Sequence, residues 1–245
     1  MKTTIQLAAL FLAFNSVADS HIDLPANDGF MLKASYFSAE KSNNTAVLML
    51  HQCNFNRSMY NQIGKLLSEQ GSHALSIDFR GYGESKSSAF DVSEIAKMKK
   101  QERASAWKNM TRHWPQDVEI AYEFLRNKVG ENGKIGVIGA SCGGSQAITL
   151  AQNNPVSAIG FFSSAQSYSN IQKYVDDLSN KPTVIIAAEE DGTTYTSAQT
   201  LFTESKNANS RFLVYKGKGH GYPLLEQDKN LAYTLSHWFT QQLTP

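Results

Sequence analysis

The chain has 245 residues, of which 41% are hydrophobic, 11% aromatic and 18% charged, with a formal net charge of +1. That composition suits one globular domain with an ample core. A balance this close to neutral argues against broad electrostatic binding to nucleic acid or to an anionic membrane, and no internal repeat or low-complexity tract stands out.

Met1-Lys2 gives a short positive start, and residues 5–14 (IQLAALFLAF) form an apolar run broken only by Gln6. Ser16 and Ala18 then supply small residues at the two positions a signal peptidase reads. The pattern predicts a secretory signal over residues 1–18, cleaved after Ala18, and an exported product, secreted or periplasmic, over residues 19–245. The run is too short to be a stable membrane anchor, and no cysteine lies near the cut to carry a lipid. The competing reading is a buried first helix. Removing residues 1–18 takes away Lys2 alone, so the net charge falls from +1 to zero.

Next, residues 21–24 and 30–37 flank Pro25-Ala-Asn-Asp-Gly29, which predicts a hairpin. Ala46–Leu50 is a fully apolar strand ending in His51-Gln52-Cys53. Tyr60, Ile63, Leu66 and Leu67 fall at helical spacing, with Gly71 as the stop. His73–Phe79 is the next strand, and Arg80-Gly-Tyr-Gly83-Glu-Ser85 follows it. Residues 86–114 break the rhythm with an excess of Lys and Arg. They predict a small helical insertion: either a solvated basic face, or a lid with Trp107 and Trp114 turned inward.

Pro115 suits the first turn of a helix running to Val129. Strands are then expected at residues 135–138, 156–162, 183–188 and 211–215. Helices are expected at 171–178 and 197–206, and one closing helix at 224–243. Strands alternating with helices predict an α/β fold, with a mostly parallel sheet and helices on both faces. In such sheets chemistry collects at the carboxyl ends of the strands.

Gly139-Ala-Ser141-Cys-Gly143 lies between the strand at 135–138 and a helix-like segment beginning near Gln146. A Gly-x-Ser-x-Gly string in that context predicts a sharp turn that holds the serine hydroxyl over the sheet edge. A serine needs a base, and the base needs an orienting carboxylate. Of the six histidines, His220 alone lies in a glycine-rich loop after the final strand. Asp191, directly before Gly192, is the preferred acid, with Glu189 and Glu190 as competitors. The order Ser141, Asp191, His220 is nucleophile, acid, base. An oxyanion also needs backbone N–H donors: Cys142, after the nucleophile, and Cys53, in the loop after the strand at 46–50.

The chain resembles the α/β-hydrolase family, in particular its small esterase and dienelactone-hydrolase-like members. The matching pieces are Leu50-His51, Asp78-Phe-Arg80-Gly81-Tyr-Gly83-Glu-Ser85, Gly139-Ala-Ser141-Cys-Gly143-Gly144, Ala188-Glu-Glu-Asp191 and Gly219-His220-Gly221, in the family's order over nearly all of residues 19–245. The resemblance implies an eight-stranded, mostly parallel mixed sheet of the α/β-hydrolase fold and hydrolysis through a covalent acyl-enzyme, and it supports Ser141, Asp191 and His220 position by position. Two departures stand out. His51-Gln52 replaces the family's common His-Gly. Dienelactone hydrolases use a cysteine nucleophile, whereas Cys142 lies one place past the centre of the turn.

Cys53 and Cys142 are the only cysteines. The oxyanion assignment puts them close together, which leaves a disulfide or two small buried thiols as the alternatives. The expected function is a serine hydrolase acting on a small-molecule ester, with no metal or organic cofactor. A peptidase or thioesterase with the same triad is one competing class. A binding protein on a hydrolase scaffold is another.

Overall fold

The computed structural model describes residues 19–244. The expected signal segment and its cut after Ala18 lie outside the described residues. The strands are β1 (Asp19–Pro25), β2 (Met31–Phe37), β3 (Thr45–Leu50), β4 (Ser72–Ile77), β5 (Lys134–Ala140), β6 (Ala158–Phe162), β7 (Thr183–Ala188) and β8 (Arg211–Tyr215). They form one sheet in the order β1-β2-β4-β3-β5-β6-β7-β8. The hairpin β1–β2 joins β4 antiparallel, and every pairing from β4 to β8 is parallel.

The side chains of β3 show how the layers arise. Ala46, Leu48 and Leu50 face one cluster of buried residues, while Val47 and Met49 face another. Alternate residues of a strand point to opposite faces, so a fully apolar strand needs cover on both. The first face is covered by α4 (Trp114–Val129), α5 (Cys142–Asn153) and α7 (Thr193–Glu204). The second is covered by α1 (Asn61–Glu69), α8 (Tyr222–Gln227) and α9 (Leu231–Leu243). α1 presents Ile63 and Leu67 on one stripe, and α9 presents Leu231, Leu235, Trp238 and Phe239, the spacing of an amphipathic helix.

From β3 the chain crosses to β4 on one side and later returns to place β5 on the other. The crevice between their carboxyl ends is the topological switch point of the sheet. The loops after β3 and β5 meet there.

The insertion consists of α2 (Val92–Lys97) and α3 (Lys100–Thr111). Trp114 does turn inward: it is buried, stacks on Phe79 and donates from Nε1 to the Arg80 carbonyl at 3.1 Å. Trp107 is 36% exposed and meets Trp114 edge-on. Lys97, Lys99, Lys100, Arg103, Lys108 and Arg112 are exposed, so α3 carries a solvated basic face.

Several helices differ from expectation. The segment expected to begin near Gln146 starts at Cys142, as α5, and the helix expected at 171–178 starts earlier, as α6 (Tyr168–Lys173), and ends in a π-helical turn over Tyr174–Leu178. α7 begins at Thr193, ahead of the expected start at 197, because the turn at Asp191-Gly192 feeds straight into it and Thr194 N–H bonds the Asp191 carbonyl. The single closing helix is two helices. Asp228 leaves helical geometry, its carboxylate accepting from the Tyr215 hydroxyl at 2.7 Å and from Asn230 N–H at 2.9 Å. Asp and Asn side chains compete with the helix for backbone donors in this way.

Two buried polar groups tie loops to this frame. The Arg80 guanidinium, 1% exposed, bonds Asp117 on α4 at 2.8 and 3.1 Å and Asp28 of the β1–β2 turn at 2.5 and 3.1 Å. Arg80 holds the Asp28 carboxyl down to about 2. At the end of β3, His51 is fully buried. Its Nδ1–H donates to the Gln52 carbonyl at 2.7 Å, and its Nε2 accepts Phe79 N–H at 2.9 Å. Those two bonds define a neutral imidazole, and burial pulls its pKa down to about 4.

Asp117→Ala leaves the buried Arg80 with only its half-exposed Asp28 partner. Urea unfolding should show a loss of about 3–5 kcal/mol, the usual cost of breaking a buried ion pair; a loss under about 0.5 kcal/mol would mean Asp28 suffices alone. His51 makes a pH-dependent contribution. Its folded pKa lies below the ordinary 6.5, so the unfolded chain binds the extra proton and stability is lost as pH falls from 6.5 towards 4. Between pH 7 and pH 5 the His51 share is about 2 kcal/mol. His73, lowered by burial and by Lys128, acts in the same direction. Unfolding curves of His51→Asn at the two pH values should be flatter with pH than those of the unsubstituted protein; an unchanged slope refutes the assignment.

Candidate active site

Ser141 sits between β5 and α5 with φ 49° and ψ −115°. A positive φ is costly for a residue with a side chain and persists only where the surroundings over-determine it. The surroundings here are explicit. Ser141 N–H bonds the Phe162 carbonyl at 2.9 Å, Gly144 N–H bonds the Ser141 carbonyl at 3.1 Å, and Ser164 Oγ donates to the same carbonyl at 2.5 Å. A Cβ on Gly143 would lie 2.5 Å from the Leu50 carbonyl oxygen of β3. The expected turn is present, and its glycine is required by the approach of neighbouring backbone.

Asp191 and His220 follow β7 and β8 at the same edge of the sheet. His220 Nδ1–H donates to Asp191 Oδ2 at 2.7 Å. That fixes the tautomer and leaves the Nε2 lone pair free to accept a proton. The competitors Glu189 and Glu190 are exposed; their backbone N–H groups bond the carbonyls of Tyr215 and Gly217, and neither side chain bonds the imidazole. Ser141 Oγ makes no hydrogen bond to His220 in this structure.

Cys53 and Cys142 are joined by a disulfide with a Cα separation of 5.8 Å. The two expected oxyanion residues are therefore neighbours, and Cys142 has no thiol to act as a nucleophile. The bridge spans 89 positions; in the chain-entropy picture a loop that long stabilises by about 4–5 kcal/mol. Among the described residues neither the Cys53 N–H nor the Cys142 N–H donates to a protein acceptor. For Cys142 this follows from its place in the first turn of α5, where backbone donors have no intrahelical partner.

Gln52 is a participant that sequence reasoning missed. Its Oε1 accepts Tyr222 N–H at 2.7 Å and its Nε2 donates to Asn54 Oδ1 at 2.5 Å. A Cβ on Gly221 would lie 1.8 Å from Gln52 Oε1. The loop bearing Cys53 and the loop bearing His220 are thus tied through one amide side chain. The lack of a side chain at Gly221 makes room for this contact. The departure from the family's His-Gly pattern was the available signal. Asp78 fixes the far end of the same loop: its carboxylate accepts Arg57 N–H and Glu84 N–H, each at 2.8 Å, and pairs with the Arg57 guanidinium.

Comparison with known proteins agrees with this architecture. The crystal structure of a dienelactone hydrolase from Anabaena variabilis superposes with a TM-score of 0.68 at 16% identity, covering 94% of this chain and 100% of that one. The Pyrococcus furiosus esterase gives 0.66 at 15% identity, covering 93% and 94%. The esterase domain of a Rhodothermus marinus protein gives 0.67 at 16% identity, covering 92% and 100%. These likenesses establish the α/β-hydrolase fold. No curated protein sequence matches the chain. The model of the dienelactone hydrolase family matches residues 32–239. The chain therefore belongs to the dienelactone hydrolase family and is a hydrolase.

Proposed function

We propose that this protein is a serine hydrolase that cleaves carboxylic esters through an acyl-enzyme, with Ser141 as nucleophile, His220 as base and Asp191 as the orienting acid. The observation that carries the reading is the 2.7 Å bond from His220 Nδ1–H to Asp191 Oδ2, made at the sheet edge where the strained turn presents Ser141. In the reaction Ser141 Oγ attacks the ester carbonyl and gives its proton to His220 Nε2. Hydrogen bonds of this kind tighten when substrate binds. The carbonyl oxygen becomes an oxyanion and takes hydrogen bonds from the N–H groups of Cys53 and Cys142, the unused donors at the switch point. Collapse of the intermediate breaks the ester C–O bond, and the leaving alcohol takes the proton from His220. Water then adds to the acyl-enzyme, again giving a proton to His220, and the acid is released as Ser141 regains it.

The Cys53–Cys142 bond supports Ser141 over a cysteine nucleophile, because it consumes both sulfurs. It also supports export: disulfides persist in oxidising compartments, which accords with a signal over residues 1–18 and a mature domain over 19–245.

Ser141→Ala should lower turnover of a nitrophenyl ester by a factor on the order of 10⁶, and Asp191→Asn by about 10⁴ through loss of the correct tautomer. A fluorophosphonate probe should label the unsubstituted protein and not Ser141→Ala. Hydrolysis that survives the serine substitution unchanged would remove this assignment. A panel of nitrophenyl esters graded by acyl length, set beside an anilide and a thioester, separates esterase from peptidase and thioesterase.

A further inference from the structure

We propose that the Cys53–Cys142 disulfide is a positioning element of the active site: it fixes the spacing of the two N–H groups that receive the oxyanion, so its loss lowers turnover while leaving substrate affinity in place. The proposal rests on the oxyanion assignment above and goes beyond it by giving the sulfurs a role that the amides alone do not need.

The two ends of the bridge are held differently. Cys142 is placed by the strained turn itself, through the bonds to Phe162, Gly144 and Ser164 that lock Ser141, and through the contact of Gly143 with Leu50. Cys53 packs against the first core cluster, but no hydrogen bond from its own N–H fixes it. It lies in a turn after β3 closed by one backbone bond, Phe55 N–H to the Gln52 carbonyl at 3.1 Å. Its flanking side chains are tied elsewhere: Gln52 to Tyr222, and exposed Asn54 back to Gln52. Its own N–H meets no protein acceptor among the described residues. The sulfur bond is what ties Cys53 directly to the turn bearing the nucleophile. It holds the two Cα atoms 5.8 Å apart.

That spacing matters to the transition state more than to the bound ester. Donors of an oxyanion hole must lie within hydrogen-bond reach of the position the charged oxygen will occupy. A displacement of about 1 Å costs on the order of 100-fold in rate. A bridge acting only as a loop closure would change the unfolding midpoint and leave the turnover of folded protein alone.

The test uses the mature chain at low temperature with an added dithiol. The dithiol gives two electrons and two protons to the bridge, frees two protein thiols and is itself oxidised to a cyclic disulfide. Free thiols, near-ultraviolet circular dichroism and nitrophenyl-ester kinetics are followed together. The expected result is a kcat about 10- to 100-fold lower, with KM within twofold. It should develop with thiol release, precede any loss of the near-ultraviolet signal and reverse on reoxidation. Affinity for a boronic acid, whose tetrahedral adduct puts an oxygen in the oxyanion position, should fall in parallel with kcat. The double variant Cys53→Ala/Cys142→Ala should reproduce the split. An unchanged kcat in folded, bridge-free protein overturns the proposal, as does activity lost only in step with the dichroism signal. Failure of the serine reading is distinguishable: Ser141→Ala in the oxidised protein would then keep its turnover.

Discussion

The structure turns on one close backbone approach, Gly143 against the Leu50 carbonyl at the end of β3. β3 and β5 are paired in register, with Leu50 opposite Gly139, so the two strands end together. α5 must start at once, because its apolar face has to reach the first layer of the core. No side chain fits between the start of that helix and the end of β3. The chain therefore turns through a positive φ at Ser141 with glycine two places on, and the hydroxyl is held out at the edge of the sheet. The strain belongs to the packing of the sheet, and the placement of the serine is its consequence.

The loops around that turn are held by buried polar groups, each satisfied locally. His51 closes the end of β3 onto the start of the loop after β4 through Phe79. Asp78 organises Arg57 and the backbone of Glu84. Arg80 joins the β1–β2 turn to α4. A buried charge or imidazole without partners would cost more than it returns. Together these groups anchor the ends of the loops.

The fold was legible because its strands are short, apolar and bounded by turn residues. Residues 183–188 and 211–215 were placed to the residue. The mostly parallel sheet followed from alternation of strands and helices, since parallel strands need helical crossovers; the strand order that makes the switch point is seen only in the structure. The closing helix was misread because its apolar spacing runs through Asp228, and the bond from Tyr215 that pulls Asp228 out joins residues that sequence does not show as neighbours. At the site, Ser141 and His220 carry glycine signatures that mark them in sequence. Asp191 is preferred in sequence for its place before Gly192, and where the side chains point separates it from Glu189 and Glu190. The sulfur bond could be stated only as one of two alternatives, because Cα separation is a tertiary quantity. Gln52 showed in sequence only as a departure from His-Gly, because its partner is 170 positions away.

Gln52 and the disulfide together hold the loop after β3 where the family's pattern has a glycine. A small residue after His51 would remove the side-chain tie to the His220 loop. Here the larger side chain fills the gap at Gly221 and accepts Tyr222 N–H, tying the loop to the His220 side. The next residue then ties it covalently to the Ser141 side. Gln52 opens the turn that Phe55 N–H closes and Cys53 is its second residue, so the two adjacent side chains leave the turn towards opposite walls of one crevice. The glycine at 221 and the cysteine at 142 are the matching halves of these two attachments. Replacing either half alone would create a clash or a free thiol, whereas the pairs fit as they stand. The departure from the family pattern at Gln52 is thus one member of a coupled set of four positions, and its effect is to hold both walls of the site by one short loop.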